Sequence, residues 1–219
     1  MNAALKPIDA MKILTRSEIA GVLADLRRKR RSVNTRQNAV IFRLATCCGL
    51  RVSEIVGLTM ANVRTSGARP HVYVPKCIAK RHKARRVPLW WDAATLAALT
   101  AWKAERAAQG ATGGDAFVCS QAAGRHSQTG QATFGKPLSV RNAQARFKQA
   151  IKVLEAERVA DLSIHCGRHS FCSHALAGGR TIAEVRDAAG HANISTTSIY
   201  LHVTCDDSDA PGDLFAFDA

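Results

Sequence analysis

Apolar residues return every three or four positions along most of this chain and alternate in only two short stretches. That balance predicts helices with a small sheet. Thr15-x-x-Glu18 has the residue types of a capping box, and Ile19, Val22, Leu23 and Leu26 follow at helical spacing. A second helix is expected from about Thr35 to Cys48, with Val40, Leu44 and Cys47 on one face. Gly49 stands where a left-handed residue would end it. A short helix from Ser53 should carry Ile55, Val56 and Leu58.

His71-Val72-Tyr73-Val74 alternates, and Arg85 to Leu89 reads as a partner strand whose Pro88 suits an edge. Between them, Lys80-Arg81-His82-Lys83 makes a basic hairpin projecting outward. A helix from Asp92 to about Ala108 presents Leu96, Leu99 and Trp102. Residues Gly110 to Pro137 are the longest irregular stretch, broken by Phe117-Val118. A helix from Ser139 aligns Val140, Ala143, Phe147, Ile151 and Leu154. Another runs from Ser163 to Gly178, and Thr181-x-x-Glu184 opens one that stops at Gly190. Ser195 is placed to cap a short helix carrying Tyr200. The expected fold is mainly α with a small antiparallel β-sheet (α+β), without internal repeats. One domain is expected over residues 15–204, with a leader at 1–14 and a tail at 205–219.

Charge sharpens the picture. The 219 residues carry a net +14, but every Lys and Arg lies at or before Arg186. Residues 187–219 hold six aspartates and carry −6, leaving +20 on residues 1–186. A body so basic points to nucleic acid. No apolar stretch is long enough to span a bilayer and no signal-peptide core opens the chain, so a cytoplasmic protein without a membrane partner is expected. Seven cysteines without a C-x-x-C pair read as reduced thiols. His165, Cys166, His169, Cys172 and His174 are metal-ligand types, but their spacing matches no zinc-finger pattern.

The candidate chemistry is a set of cations ahead of one tyrosine. Arg51 and Arg168 suit a phosphate because the planar guanidinium makes paired hydrogen bonds and keeps its charge. A lysine whose pKa is lowered by neighbours suits protonation of a leaving oxygen, and Lys80 or Lys83 could serve. Tyr200 is one of two tyrosines, and Tyr73 lies in a strand-like run. Nearby arginines and a histidine would favour its phenolate on attack. Arg27, Arg28, Lys29, Arg30 and Arg31 form either a solvated helix end or a phosphate contact; Arg81, Lys83 and Arg85 are further DNA-binding candidates.

These residues stand in a context that closely resembles the tyrosine recombinase (phage integrase) family, its Xer-type members most of all. The carriers are Gly49-Leu50-Arg51-Val52-Ser53-Glu54-Ile55, the hairpin Ala79-Lys80-Arg81-His82-Lys83 before Val87-Pro88-Leu89, His165-Cys166-Gly167-Arg168-His169, Gly190-His191, and Thr196 to His202. The resemblance covers roughly Leu14 to Thr204. It implies the family's catalytic-domain fold and a catalytic set of Arg51, Lys80, His165, Arg168, His191 and Tyr200. Glu54 would orient a cation, and His169 would be structural. It implies cleavage and rejoining of double-stranded DNA through a 3′-phosphotyrosyl intermediate, with no cofactor, metal or ATP.

Gly167 and Ala189 stand where the family usually has larger apolar residues, which is expected to loosen packing around the site. Family members also carry an N-terminal domain that clamps the DNA. It is expected to be absent here, so that the chain is a fragment, a minimal enzyme, or one whose clamp an accessory protein supplies. Self-association as a dimer or tetramer on DNA is expected. The tail would contribute through Leu214, Phe215 and Phe217, against a fold-back in cis or a disordered segment. A type IB topoisomerase and a non-catalytic DNA-binding regulator or decoy are the competing functions.

Overall fold

The computed structural model describes residues 8–124 and 132–201. Helix α1 (Arg16–Arg28) begins as predicted: the Thr15 hydroxyl accepts the Glu18 N–H, and the Glu18 carboxylate accepts the Thr15 N–H at 2.8 Å. Helix α2 (Val33–Thr46) starts two residues ahead of expectation. Its Val40, Ile41 and Leu44 are buried at the centre of the body. Around it pack α1, α4 (Ala93–Ala108), α5 (Val140–Ala150) and α7 (Ile164–Ala177). Phe42 of α2 stacks on Phe147 of α5 at 5.6 Å.

Gly167 sets the approach of α7 to α2. A Cβ there would lie 2.9 Å from Ala45 Cβ and 3.0 Å from the Ala45 carbonyl carbon. The expected loosening is therefore reversed, because the missing side chain lets the two helices close on each other. Ala189 is likewise fully buried.

Strands β1 (Val63–Arg64), β2 (His71–Val74) and β3 (Arg85–Pro88) form an antiparallel sheet in that order. Val72 pairs with Val63 on one side and Val87 on the other, and all three are fully buried. Pro88 thus lies on an edge strand, where a missing ladder donor is tolerated. β1 is too short to show alternation in sequence. α3 (Val52–Gly57) leads toward the sheet, and α8 (Ile182–Ala189) packs on β3.

Other differences from expectation are local. Leu58 caps α3 instead of continuing it. Val140 is 39% exposed, and α5 gives way to a 3-10 turn at Ile151–Val153 before Leu154. α6 (Ala156–Asp161) was not predicted; its one turn and a half is too short for a periodic signal. α9 (Ser195–Ser198) ends two residues before Tyr200, and Ile194 precedes it in the capping position. The long irregular stretch is pinned at its apolar break: Phe117 and Val118 are fully buried, and Trp102 Nε1 donates to the Phe117 carbonyl at 2.8 Å.

The segment before α1 is built into the body. Leu14 is fully buried, its N–H donates to Ser170 Oγ at 2.9 Å, and its carbonyl lies 2.7 Å from His174 Nε2. Leu214, Phe215 and Phe217, with the rest of the tail, lie outside the described residues. Among the described residues no helix is long and apolar enough to cross a membrane.

Candidate active site

The turn after α2 places the first arginine. Gly49 has φ +62°, and a Cβ on it would overlap the Phe171 ring. Glycine is required there twice over, for the left-handed backbone and for the space. Arg51 then precedes α3. Its N–H donates to Glu54 Oε2 at 2.8 Å, and its Nη1 donates to Glu54 Oε1 at 3.1 Å. Glu54 is fully buried and also receives both Nη groups of Arg85, at 2.8 and 2.7 Å. It is therefore a partner of cations, as expected. The cations and the Arg51 N–H hold its carboxyl below its ordinary pKa against the opposing effect of burial.

Arg168 comes from α7 and is 7% exposed. Its Nη1 donates to the Gly49 carbonyl at 2.7 Å, and its Nη2 donates to the Ala189 carbonyl. One guanidinium thus ties the turn before Arg51 to the end of α8. Burial pulls its pKa down to about 10, and Arg51 and Arg85 add to the lowering. It still carries its charge at neutral pH.

Beyond α8, Gly190 turns the chain with φ +70° and presents His191. The His191 ring is parallel to Tyr200, with centroids 6.2 Å apart, and its Nδ1 lies 2.9 Å from Thr197 Oγ1. Burial pushes the His191 pKa down to about 3, helped by Arg168, Arg51 and Arg85. The ring is neutral at pH 7. Tyr200 is 4% exposed, and its hydroxyl lies 2.8 Å from His169 Nδ1. Burial and the neighbouring Cys172 thiol raise the phenol above its ordinary pKa, outweighing Arg168 and Arg51. The arginines therefore do not produce a phenolate in this arrangement. The protonated hydroxyl is held against His169, whose own pKa is lowered by burial, Arg168 and His165.

Hydrogen bonds and ion pairs join Arg51 and Arg85 to Glu54, a hydrogen bond and ring contacts join His169 and His191 to Tyr200, and the charge of Arg168 acts on both histidines between them. Lys80 and His165 stand apart as exposed residues. Lys80 opens a 3-10 turn, Lys80–His82, between β2 and β3, and Lys83 beside it is exposed too. The side chain of Arg81 lies outside the described residues. Arg27, Arg28, Lys29, Arg30 and Arg31 are exposed, with Arg28 and Lys29 both on Asp25 at 2.5 and 2.6 Å.

Two of these placements were poorly marked in sequence. His169 touches the Tyr200 hydroxyl, and the only hint was its position beside Arg168. Arg85 looked like one more hairpin cation, but its side chain is 7% exposed and faces Glu54. Among the described residues no group of three or more His, Cys, Asp or Glu is arranged to hold a metal ion.

The family model described as "Phage integrase family" matches residues 12–206. The chain belongs to the phage integrase family. Among curated members it is 30% identical over 168 residues to tyrosine recombinase XerD of Halalkalibacterium halodurans, covering 77% of this chain and 50% of the relative. It is 31% identical over 169 residues to tyrosine recombinase XerC of Stutzerimonas stutzeri, covering 77% and 48%. The chain therefore spans about half the length of the curated relatives it matches. Its fold is similar to XerA recombinase, with TM-score 0.64 and 17% identity over 93% of this chain and 61% of that one. It is also similar to a lambda integrase dimer bound to a COC′ core site, with TM-score 0.61 and 15% identity over 95% and 65%. As a phage integrase family member it has the small three-stranded sheet and helical body described above.

Proposed function

We propose that this chain is the catalytic domain of a site-specific DNA recombinase that cleaves and rejoins strands through a 3′-phosphotyrosyl intermediate. The supporting observation is the pairing of Arg51 and Arg85 with the one carboxylate of Glu54, together with buried Arg168, whose charge reaches both neutral His191 and Tyr200. That excess of positive field suits the charge gathering on a phosphate under attack. The Tyr200 oxygen bonds to phosphorus, the bond from phosphorus to the 5′-oxygen breaks, and the phenol proton passes to His169 Nδ1. Lys80 delivers a proton to the leaving 5′-oxygen. His165 and His191 contact the phosphate oxygens. The phosphotyrosyl ester keeps the energy of the broken bond for rejoining. Tyr200 as a residue is only 4% exposed and must be uncovered before it attacks, so DNA engagement precedes chemistry.

The partner is double-stranded DNA in the cytoplasm, bound chiefly through phosphates by Arg27 to Arg31, Arg81 and Lys83. Affinity should fall steeply with salt. Assembly of copies on DNA completes the reaction. A groove of about 510 Å³ lies between α1, α2 and α4, with an apolar floor including Leu23, Val40 and Trp102 and with Arg27 and Arg30 on its rim. The acidic tail, with Leu214, Phe215 and Phe217 among five aspartates, is its complement in charge and polarity. Deleting residues 206–219 should weaken self-association on DNA. An unchanged assembly would rule the tail out.

The deciding experiment is incubation with a nicked suicide substrate. The chain should form a covalent protein–DNA adduct, and Tyr200→Phe should bind DNA but form none. Adduct at the normal level in Tyr200→Phe would remove Tyr200 as the nucleophile. Binding without any adduct in the parent chain would favour a regulator, and relaxation of supercoils by a monomer would favour a topoisomerase.

A further inference from the structure

Arg85 sits in the basic hairpin that joins Lys80 to β3, yet its side chain points away from solvent. It is 7% exposed, and all three kinds of guanidinium nitrogen are in use. Nη1 and Nη2 fork onto Glu54 at 2.8 and 2.7 Å, and Nε donates to the Ala188 carbonyl at 2.8 Å. The same side chain passes over Gly190, where a Cβ would lie 2.8 Å from Arg85 Cδ. One residue of β3 therefore braces α3 through Glu54 and the end of α8 through Ala188 and Gly190, immediately before His191.

The two arginines on Glu54 are not equivalent. Arg85 is bidentate and close. Arg51 reaches the carboxylate with one Nη at 3.1 Å, the longest of its four hydrogen bonds. A buried carboxylate needs a full set of donors. Because Arg85 supplies the strong pair, Arg51 is needed only lightly, and its other donors stay available to an anion. We infer that Arg85 is a positioning residue: by neutralising Glu54 and clamping β3 to α3 and α8, it keeps Arg51 free for the scissile phosphate. This role rests on the recombinase function proposed above, but it can be tested separately from it.

Removing Arg85 alone should turn Arg51 inward as the sole partner of Glu54. Arg85→Met should then slow single-turnover cleavage by about 10²-fold, as if Arg51 itself were lost. Adding Glu54→Gln removes the charge that captures Arg51. The double variant Glu54→Gln/Arg85→Met should recover cleavage at least ~10-fold over Arg85→Met, a non-additivity expected of residues in one network. DNA binding provides the readout that needs no activity. In the double variant, where Arg51 is free again, a positioning Arg85 leaves the slope of log affinity against log salt unchanged, whereas an Arg85 that met phosphate lowers it by about one. If Arg85→Met does not fold, the neutral pair is compared directly with the parent chain. Cleavage within ~10-fold of the parent supports positioning, and cleavage as poor as that of Arg51→Ala overturns it. A double variant no better than Arg85→Met, or one whose salt slope is reduced by about one, also overturns it. If the parent forms no adduct at all, the recombinase function fails, and the salt slope still decides whether Arg85 meets phosphate.

Discussion

Arg168 is 7% exposed with two backbone carbonyls on its guanidinium, whereas Lys80 is exposed on a 3-10 turn at the tip of the hairpin. The first belongs to a part of the site that the fold completes by itself. Arg51, Glu54, Arg85, Arg168, His191 and Tyr200 are held by one another and by the ends of α2 and α8. The second belongs to a part presented outward, with His165 on the first turn of α7. Under the proposed function the contrast separates two tasks. Stabilising charge on phosphorus works best with groups fixed before the substrate arrives, since they then need no reorganisation during reaction. Protonating a leaving oxygen requires a donor that can reach an atom of the DNA, and a flexible ammonium suits that.

Breaking the built-in part should have the largest effect. Arg168→Ala removes a charge and leaves the Gly49 and Ala189 carbonyls without their shared donor. Each such buried group costs about 1–3 kcal/mol. Cleavage should fall at least ~10²-fold and thermal stability should fall with it. A stable, fully active variant would show that the buried cluster is structural. Lys80→Ala tests the outward part. It should slow cleavage by ~10²-fold with no loss of stability, and a 5′-bridging phosphorothioate, whose sulfur leaves without a proton, should restore the rate. Rescue of Lys83→Ala instead would move the role along the hairpin.

The same contrast governs what the sequence revealed. Arg51, Lys80, His165, Arg168, His191 and Tyr200 could be named as candidates because each sits in a short motif that resembles one of the family's, with Lys83 as a rival to Lys80 in the same hairpin. Helix α1 was legible because cap and apolar period agree, α4 from its apolar spacing, and α8 from its capping box and the glycine that ends it. The interactions across elements were not. Arg85 reads as a hairpin cation because nothing local says that Glu54 lies beneath it. His169 reads as structural because its contact with Tyr200 crosses from α7 to the turn after α9. Gly167 reads as a defect because the fit against Ala45 exists only once α2 and α7 are packed. β1 and α6 carry too few residues for a period to emerge.

Gly49 and Gly190 link both parts to the fold, and the first gives a smaller, structural effect. Gly49→Ala places a Cβ in the left-handed region and against the Phe171 ring. The backbone cost alone is about 1–2 kcal/mol, and the ring must also shift. The denaturant midpoint should drop, and cleavage should drop further than stability explains, since Gly49 carries the carbonyl that holds Arg168. Unchanged cleavage with lowered stability would uncouple that turn from the site.

The smallest expected effect is a change of pH dependence at His191. Its pKa is pushed from the ordinary 6.5 to about 3, first by burial and then by Arg168, Arg51 and Arg85. The folded chain therefore refuses a proton that the unfolded chain accepts between those two values. The unfolded state binds more protons in that window, so stability from this group is complete above pH 6.5 and is lost as pH falls toward 3. His191→Asn keeps a polar amide beside Thr197 but cannot take up the proton. Its urea midpoint should fall less than that of the parent chain between pH 7 and pH 4. A remainder should persist in both, because His169 and His174 are also held below their ordinary values by burial. The comparison is clean because the depressed carboxyls of Glu18, Asp25 and Glu54 are the same in the two proteins. Equal losses in variant and parent would mean that neither burial nor the arginines hold the His191 ring neutral in the folded chain.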